Sequence, residues 1–99
     1  MFRRRDTRQE PVELVVYTKP DCHLCEDMKN VVGRVVGKNR GVATLREVDV
    51  SQDADLLATY GEQIPVLFVN GRKAFKYRVS ERALRDRLEK DARAKTEKE

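Results

Sequence analysis

Two cysteines three residues apart, in Cys22-His23-Leu24-Cys25, carry the most reactive side chains of this sequence. They follow an apolar, β-branched run and open a stretch of helical periodicity. Three residues is nearly one helical turn, so both sulfurs share a face and can close a small disulfide. At a helix N-terminus the unpaired N–H groups and the dipole favour an anion. That places the Cys22 thiol below its free value of about 8.5. Cys25, a turn further in beside Leu24 and Met28, is expected to be more buried and less acidic. The outer thiolate then attacks a disulfide and the inner thiol resolves the mixed disulfide.

Two other uses of the same residues stay open. A structural staple across so short a loop constrains little of the unfolded chain. A metal could use Cys22, His23 and Cys25, but zinc takes four donors and His23 is the only histidine. A zinc or iron–sulfur site would therefore need a second chain to contribute its own pair. The position of the pair beside a βαβ pattern favours redox chemistry, with no metal held by one chain.

Placing the two sulfurs requires a strand before them and a helix after them. Residues 12–18 are β-branched and aromatic and predict a largely buried first strand, broken by Pro20 and Asp21. Leu24, Met28, Val31, Val32 and Val35 then fall on one helical face, with Gly37 and Gly41 as the expected close. Residues 42–50 predict a second strand, with Val42, Leu45, Val48 and Val50 as its apolar positions. Ser51 reads as the N-cap of a short helix, Asp53 and Asp55 as its first turn. Leu56, Leu57 and Tyr60 are expected to face inward, and Gly61 to end that helix. Residues 64–69 are a third strand, too apolar for a sheet edge. Asn70-Gly71 predicts a hairpin returning over residues 72–77. Ser80 caps a last helix with Leu84 and Leu88 inward, fraying after Ala92.

The order β-α-β-α-β-β-α predicts an α/β fold with a four-stranded mixed sheet. Its first two strands are parallel through a right-handed crossover, and helices cover both faces.

Ninety-nine residues suit one domain. Charged residues make up 38% of the chain, but residues 1–11 hold 6 of them and residues 80–99 hold 13. Residues 12–79 carry ten Lys/Arg against nine Asp/Glu, so the formal net charge of +4 belongs mainly to the ends. No concentrated basic face of the kind nucleic acid selects is expected. The expected organisation is a flexible basic leader over residues 1–11, containing Arg3-Arg4-Arg5, then a domain over 12–92 and a charged tail over 93–99. No apolar run is long enough for a signal peptide or a membrane span, so a cytoplasmic location with no membrane partner is expected. Thiols there are kept reduced, which argues against a structural disulfide.

The segment Tyr17-Thr18-Lys19-Pro20-Asp21-Cys22-His23-Leu24-Cys25, followed by Glu47-Val48-Asp49-Val50 and by Ile64-Pro65-Val66-Leu67-Phe68-Val69-Asn70-Gly71, resembles the glutaredoxin-like branch of the thioredoxin superfamily. It is most similar to small members with a Cys-His-Leu-Cys motif, over about residues 12–90. The resemblance implies a thioredoxin-like fold and a thiol–disulfide oxidoreductase. It also implies that Pro65 is cis and faces the sulfurs, whereas the residues alone read as a trans proline opening a strand. A cis bond would leave the Ile64 backbone free to pair with a substrate peptide or glutathione.

By the same resemblance Lys19 stabilises the Cys22 thiolate and binds a glutathione carboxylate; its plain reading is a solvated loop lysine. His23 is expected to be exposed, either tuning Cys22 and relaying protons or passive. Arg78 and the helix start at Ser80 would hold a carboxylate. The departures have consequences too. Asp21 replaces the Trp, and Val16 the buried Asp, of thioredoxins, which disfavours thioredoxin proper. Leu24 stands where glutathione-binding glutaredoxins have an aromatic residue. Lys76-Tyr77 aligns with their Gly-Gly pair and would crowd the amino end of glutathione.

The implied partners are disulfide-containing proteins or small thiols, with glutathione or a reductase as electron donor. No organic cofactor is expected to be bound, glutathione entering only as co-substrate, and the protein is expected to be a monomer. The rivals are a metal or cluster carrier that dimerises through Cys22 and Cys25, and a binding module that kept the fold without turnover.

Overall fold

A computed structural model of the chain describes residues 11–39 and 41–97. The expected leader, Arg3-Arg4-Arg5 included, lies outside the described residues apart from Pro11, as do residues 98 and 99 of the tail. The elements are β1 (Val12–Thr18), α1 (His23–Lys38), β2 (Ala43–Asp49), a short 3-10 turn (Val50–Gln52), α2 (Ala54–Tyr60), β3 (Val66–Val69), β4 (Arg72–Lys76) and α3 (Glu81–Glu97). The strands form one sheet in the order β2-β1-β3-β4. β1 and β2 are parallel, in register from Val12 opposite Ala43 to Thr18 opposite Asp49. β3 runs antiparallel to β1, and β4 antiparallel to β3.

Alternation along β1 sends Val12, Leu14 and Val16 to one face, where they meet Met28, Val32 and Val35 of α1, Leu67 and Val69 of β3, and Leu84 and Leu88 of α3. The other face carries a smaller cluster of Cys25, Val50 and Ile64, packed by Tyr17, Cys22, Leu56 and Tyr60. The mixed sheet thus has helices on both faces. Arg34 of α1 donates to Glu81 of α3 at 2.7 Å, bracing the two helices at the protein surface. The Ile64–Pro65 peptide bond is cis.

Asn70 and Gly71 both adopt positive φ, 50° and 82°, the conformation of a two-residue hairpin that follows the twist of its strands. Asn70 does more than turn the chain. Its Oδ1 accepts from the Glu13 backbone N–H at 2.9 Å, and its Nδ2 donates to Asp91 Oδ2 at 3.3 Å. One side chain therefore ties the hairpin to β1 and to α3.

Several expectations are corrected. α1 runs through Gly37 to Lys38, and Asn39 caps it, donating from Nδ2 to the Val35 carbonyl at 2.7 Å. Gly41 instead takes φ 83° in the turn into β2. Val42 and Leu45 are each 39% exposed, because β2 is the sheet edge and the core is centred on β1 and β3. The N-cap of α2 is Asp53, whose carboxylate accepts from the N–H groups of Asp55 and Leu56; Ser51 is drawn into the 3-10 turn by Asp49. Leu57 is 42% exposed, since the short α2 packs only Leu56 and Tyr60 inward. β3 begins at Val66 and β4 ends at Lys76, where Tyr77 turns to φ 68°. α3 does not fray after Ala92 but continues to Glu97, through a run of helix formers without Gly or Pro.

Asn70→Ala is expected to lower stability by about 1–3 kcal/mol, since it loses both tethers and places a Cβ without local hydrogen bonds at positive φ. Asn70→Gly keeps the turn geometry and should cost less. Urea unfolding of the two variants beside the parent measures the difference.

Candidate functional site

The site begins where β1 hands the chain to α1. Pro20 and Asp21 turn it sharply, with Asp21 at φ 58°, a left-handed conformation that Asp tolerates better than most residues. Cys22 therefore arrives as the N-cap of α1. Its Sγ accepts from the Cys25 backbone N–H at 3.1 Å. This is a free amide of the helix terminus, whose alignment with the dipole favours negative charge on the sulfur. Cys22 and Cys25 form a disulfide, with Cα atoms 5.2 Å apart. The two sulfurs differ in access: Cys22 is partly exposed, whereas Cys25 is 1% exposed within the cluster of Val50 and Ile64.

The floor beneath that cluster is aromatic. Tyr17 lies edge-on to Tyr60 with centroids 5.1 Å apart and tilted against Phe68 at 4.7 Å. Tyr17 and Tyr60 pack against the cluster that holds Ile64, and Ile64 and the neighbouring Pro65 are both buried. Among the described residues no hydrogen bond engages the Ile64 backbone, while the carbonyl of Pro65 accepts from Tyr77 N–H at 2.8 Å. The Ile64 N–H and C=O are thus spare pairing groups on the segment that packs with Cys25.

The other residues singled out in the sequence are spread around this centre. Lys19 is exposed and donates from Nζ to the Gly61 carbonyl at 3.1 Å, linking the β1–α1 turn to the end of α2. His23 is exposed and Leu24 half-buried on the first turn of α1. Arg78 lines a hollow of about 160 Å³ with Asp27, Met28, Val31, Tyr77 and Val79, which neither cysteine borders. Tyr77 donates its hydroxyl to the Glu62 carbonyl at 3.1 Å, which lays its ring along the loop leading to Ile64.

Cys25 also borders a polar cleft of about 210 Å³, lined with it by Thr18, Lys19, Asp21, Glu26, Lys29, Glu47 and Asp49, among others. Sequence reading missed most of this cleft. Thr18 is buried and donates to Glu47 Oε2 at 2.7 Å, and Lys29 Nζ lies 3.2 Å from the same oxygen and 3.1 Å from Glu26. Glu26 and then Glu47 hold the Lys29 ammonium above its ordinary value of 10.5. Bonds from Ser51 pull the Asp49 carboxyl below its ordinary range. The available sequence signals were Thr18, a polar residue closing an apolar strand, and Glu47 and Asp49, which entered only as part of the family resemblance. Among the described residues no group of three or more His, Cys, Asp or Glu side chains is arranged to hold a metal ion. Nor is any described helix long and apolar enough to cross a membrane.

Residues 13–89 match the sequence model of the glutaredoxin-like domain (DUF836). Among solved structures, the protein XcR50 from X. campestris is 28% identical, covering 78% of this chain and 96% of its own, with a TM-score of 0.59. Protein Ne2328 from Nitrosomonas europaea is also 28% identical, with 80% and 93% coverage and a TM-score of 0.64. Chloroplastic thioredoxin z superposes with a TM-score of 0.69 at 12% identity, covering 89% of this chain and 83% of its own, a likeness of fold. No curated protein sequence matches the chain.

The unequal access of the sulfurs predicts unequal reactivity. In the reduced protein Cys22 is expected to alkylate at least about tenfold faster than Cys25 near neutral pH. Timed iodoacetamide quenches, read by peptide mass, give the ratio, and equal rates would contradict the assignment of the two roles.

Proposed function

Since this chain belongs to the glutaredoxin-like domain family, we propose that it is a thiol–disulfide oxidoreductase in which Cys22 attacks and Cys25 resolves. The observation that carries the reading is the asymmetric pair itself: an outer sulfur capping α1 and an inner one buried behind it. The Cys22 thiolate attacks a substrate disulfide, forming a mixed disulfide and releasing one substrate thiolate, which takes up a proton. Cys25, once deprotonated, attacks Cys22 Sγ, and the second substrate thiolate leaves and is protonated. Two electrons pass to the substrate, and the Cys22–Cys25 disulfide remains to be reduced by an external thiol or a reductase.

The substrate lies along Ile64, whose spare N–H and C=O accept an extended segment as an added strand beside Pro65. Leu24 and His23 flank the attacked sulfur. Lys19, with donors left after its bond to Gly61, and Arg78 supply positive charge for substrate carboxylates. The protein works as a monomer without a resident cofactor, in a reducing compartment such as the cytoplasm. Protein disulfides or small disulfides open enough to meet Ile64 are its substrates. Glutathione is a poorer fit as co-substrate, because Tyr77 and the Lys76 ammonium above its ring, 5.5 Å from the centroid, stand at the edge of the site.

Titration in glutathione redox buffers with acid quench and intact mass tests the cycle. The expected result is a reversible loss of two hydrogens that disappears in Cys22→Ser and in Cys25→Ser. No reversible disulfide, or a metal that leaves as the thiols are modified, would instead support the carrier reading. For glutathione, Cys25→Ser should accumulate the Cys22 adduct slowly. Replacing Lys76 and Tyr77 by glycine, which suits φ 68° at position 77, should speed that adduct severalfold, roughly the effect of 1 kcal/mol.

A further inference from the structure

We propose that Lys29 is the counter-charge of the Cys25 thiolate during resolution of the mixed disulfide, and that Glu47 is the positioning residue that sets its strength. The proposal rests on the dithiol reading above and concerns its second step. In that step the Cys25 S–H bond loses its proton to solvent base, and the sulfur pair forms the bond to Cys22 Sγ. The bond from Cys22 to the substrate sulfur breaks, and the departing thiolate takes up a proton. Cys25 is oxidised and the substrate sulfur reduced.

The difficulty lies in making Cys25 anionic where it stands. It is 1% exposed, and burial disfavours the thiolate. One side of it meets Val50, Ile64, Leu56 and the uncharged rings of Tyr17 and Tyr60. It also borders the polar cleft, whose charged lining comes from three places: Lys19 and Asp21 from the β1–α1 turn, Glu26 and Lys29 from α1, and Glu47 and Asp49 from β2. Four carboxylates against two ammonium groups would oppose a further negative charge. Lys19 is turned to the Gly61 carbonyl. Lys29 lies four residues after Cys25 on α1, hence one turn on along the same face. Of the cleft's two cations it is the one on the same helix as Cys25, and its bonds to Glu26 and Glu47 raise its pKa above the ordinary value of 10.5.

Glu26 and Glu47 hold that ammonium together, and Glu47 is the partner that ties it to the sheet. Its Oε2 is fixed by the buried Thr18 hydroxyl at 2.7 Å and in turn holds Lys29 Nζ at 3.2 Å. The same carboxylate offsets part of the ammonium's field. The two residues should therefore act on Cys25 with opposite signs.

The test is a single-turnover reaction of reduced protein with an aromatic disulfide whose released thiol absorbs visible light. The first release reports attack by Cys22 and the second reports resolution by Cys25. In Lys29→Gln the pH midpoint of the second release is expected to rise, with the rate near neutral pH lower by about threefold to tenfold, the scale of half to one pKa unit. In Glu47→Gln the amide oxygen still accepts from Thr18, and the midpoint is expected to fall. Both shifts should shrink as salt is added, because Lys29 and Glu47 are 28% and 45% exposed. Direct titration of the thiol by ultraviolet absorbance in Cys22→Ala backgrounds should give the same two directions. Midpoints that stay at the wild-type value, or that move the same way in both variants alongside matching losses of thermal stability, would overturn the proposal. The latter pattern would make the pair a brace between α1 and β2. If wild-type protein releases only one thiol, the dithiol reading itself fails, whatever the variants do.

Discussion

The first turn of α1 has amide groups that no carbonyl can satisfy, and a cysteine sulfur takes one of them. That capping contact, from Cys25 N–H to Cys22 Sγ, makes the helix terminus and the disulfide a single structure. It demands that β1 end at a fixed point, because one residue more or less in the turn would put a different side chain at the cap. The strand is held there by parallel pairing to β2 over its whole length and by antiparallel pairing to β3. Asp21, in the left-handed region, supplies the abrupt change of direction.

The sheet divides its labour between faces. On the side of α1 and α3 the cluster is aliphatic and closed, with Leu14, Met28, Leu67 and Leu84 nearly inaccessible. Truncation there would remove apolar contacts and leave a cavity. On the side of α2 the cluster is smaller and includes both cysteines, so the disulfide is itself part of the packing. Burying Cys25 there keeps it from bulk solvent yet next to Cys22. The same choice raises the free energy of its thiolate, the cost that the proposed counter-charge of Lys29 offsets.

Features settled by local chemistry were legible in the sequence. The Asn70-Gly71 turn, the Ser80 cap, which accepts from Ala83 N–H, and the cysteine pair at a helix start all depend on neighbours within a few residues. Features settled by sheet order were not. Leu45 alternates correctly for a core position, but its strand lies at the edge, and nothing local distinguishes an edge strand of this length from a central one. The capping of α2 failed for another reason. Asp49, Ser51 and Asp53 all compete for free amides within five residues, and the 3-10 turn that satisfies the first pair leaves Asp53 as the cap. Tyr77 was read as the last residue of a strand. A bulky residue at positive φ has no sequence signature, and its position became visible only through its bonds to Pro65 and Glu62.

The edge position of β2 also explains how a charged group comes to stand near a buried thiol at all. In the central strands the positions facing α1 are fully enclosed, as at Val16, and an isolated carboxylate there would face a prohibitive loss of hydration. Glu47 is in register with Val16 on the neighbouring strand. It can reach toward the same region while roughly half of its side chain stays in water. Lys29 completes the arrangement from the helix side, so neither charge is buried alone. An ion pair this exposed contributes little to stability. Set between Thr18 and the Cys25 cleft, the pair acts, on the proposal above, through the field it exerts there more than through its own energy.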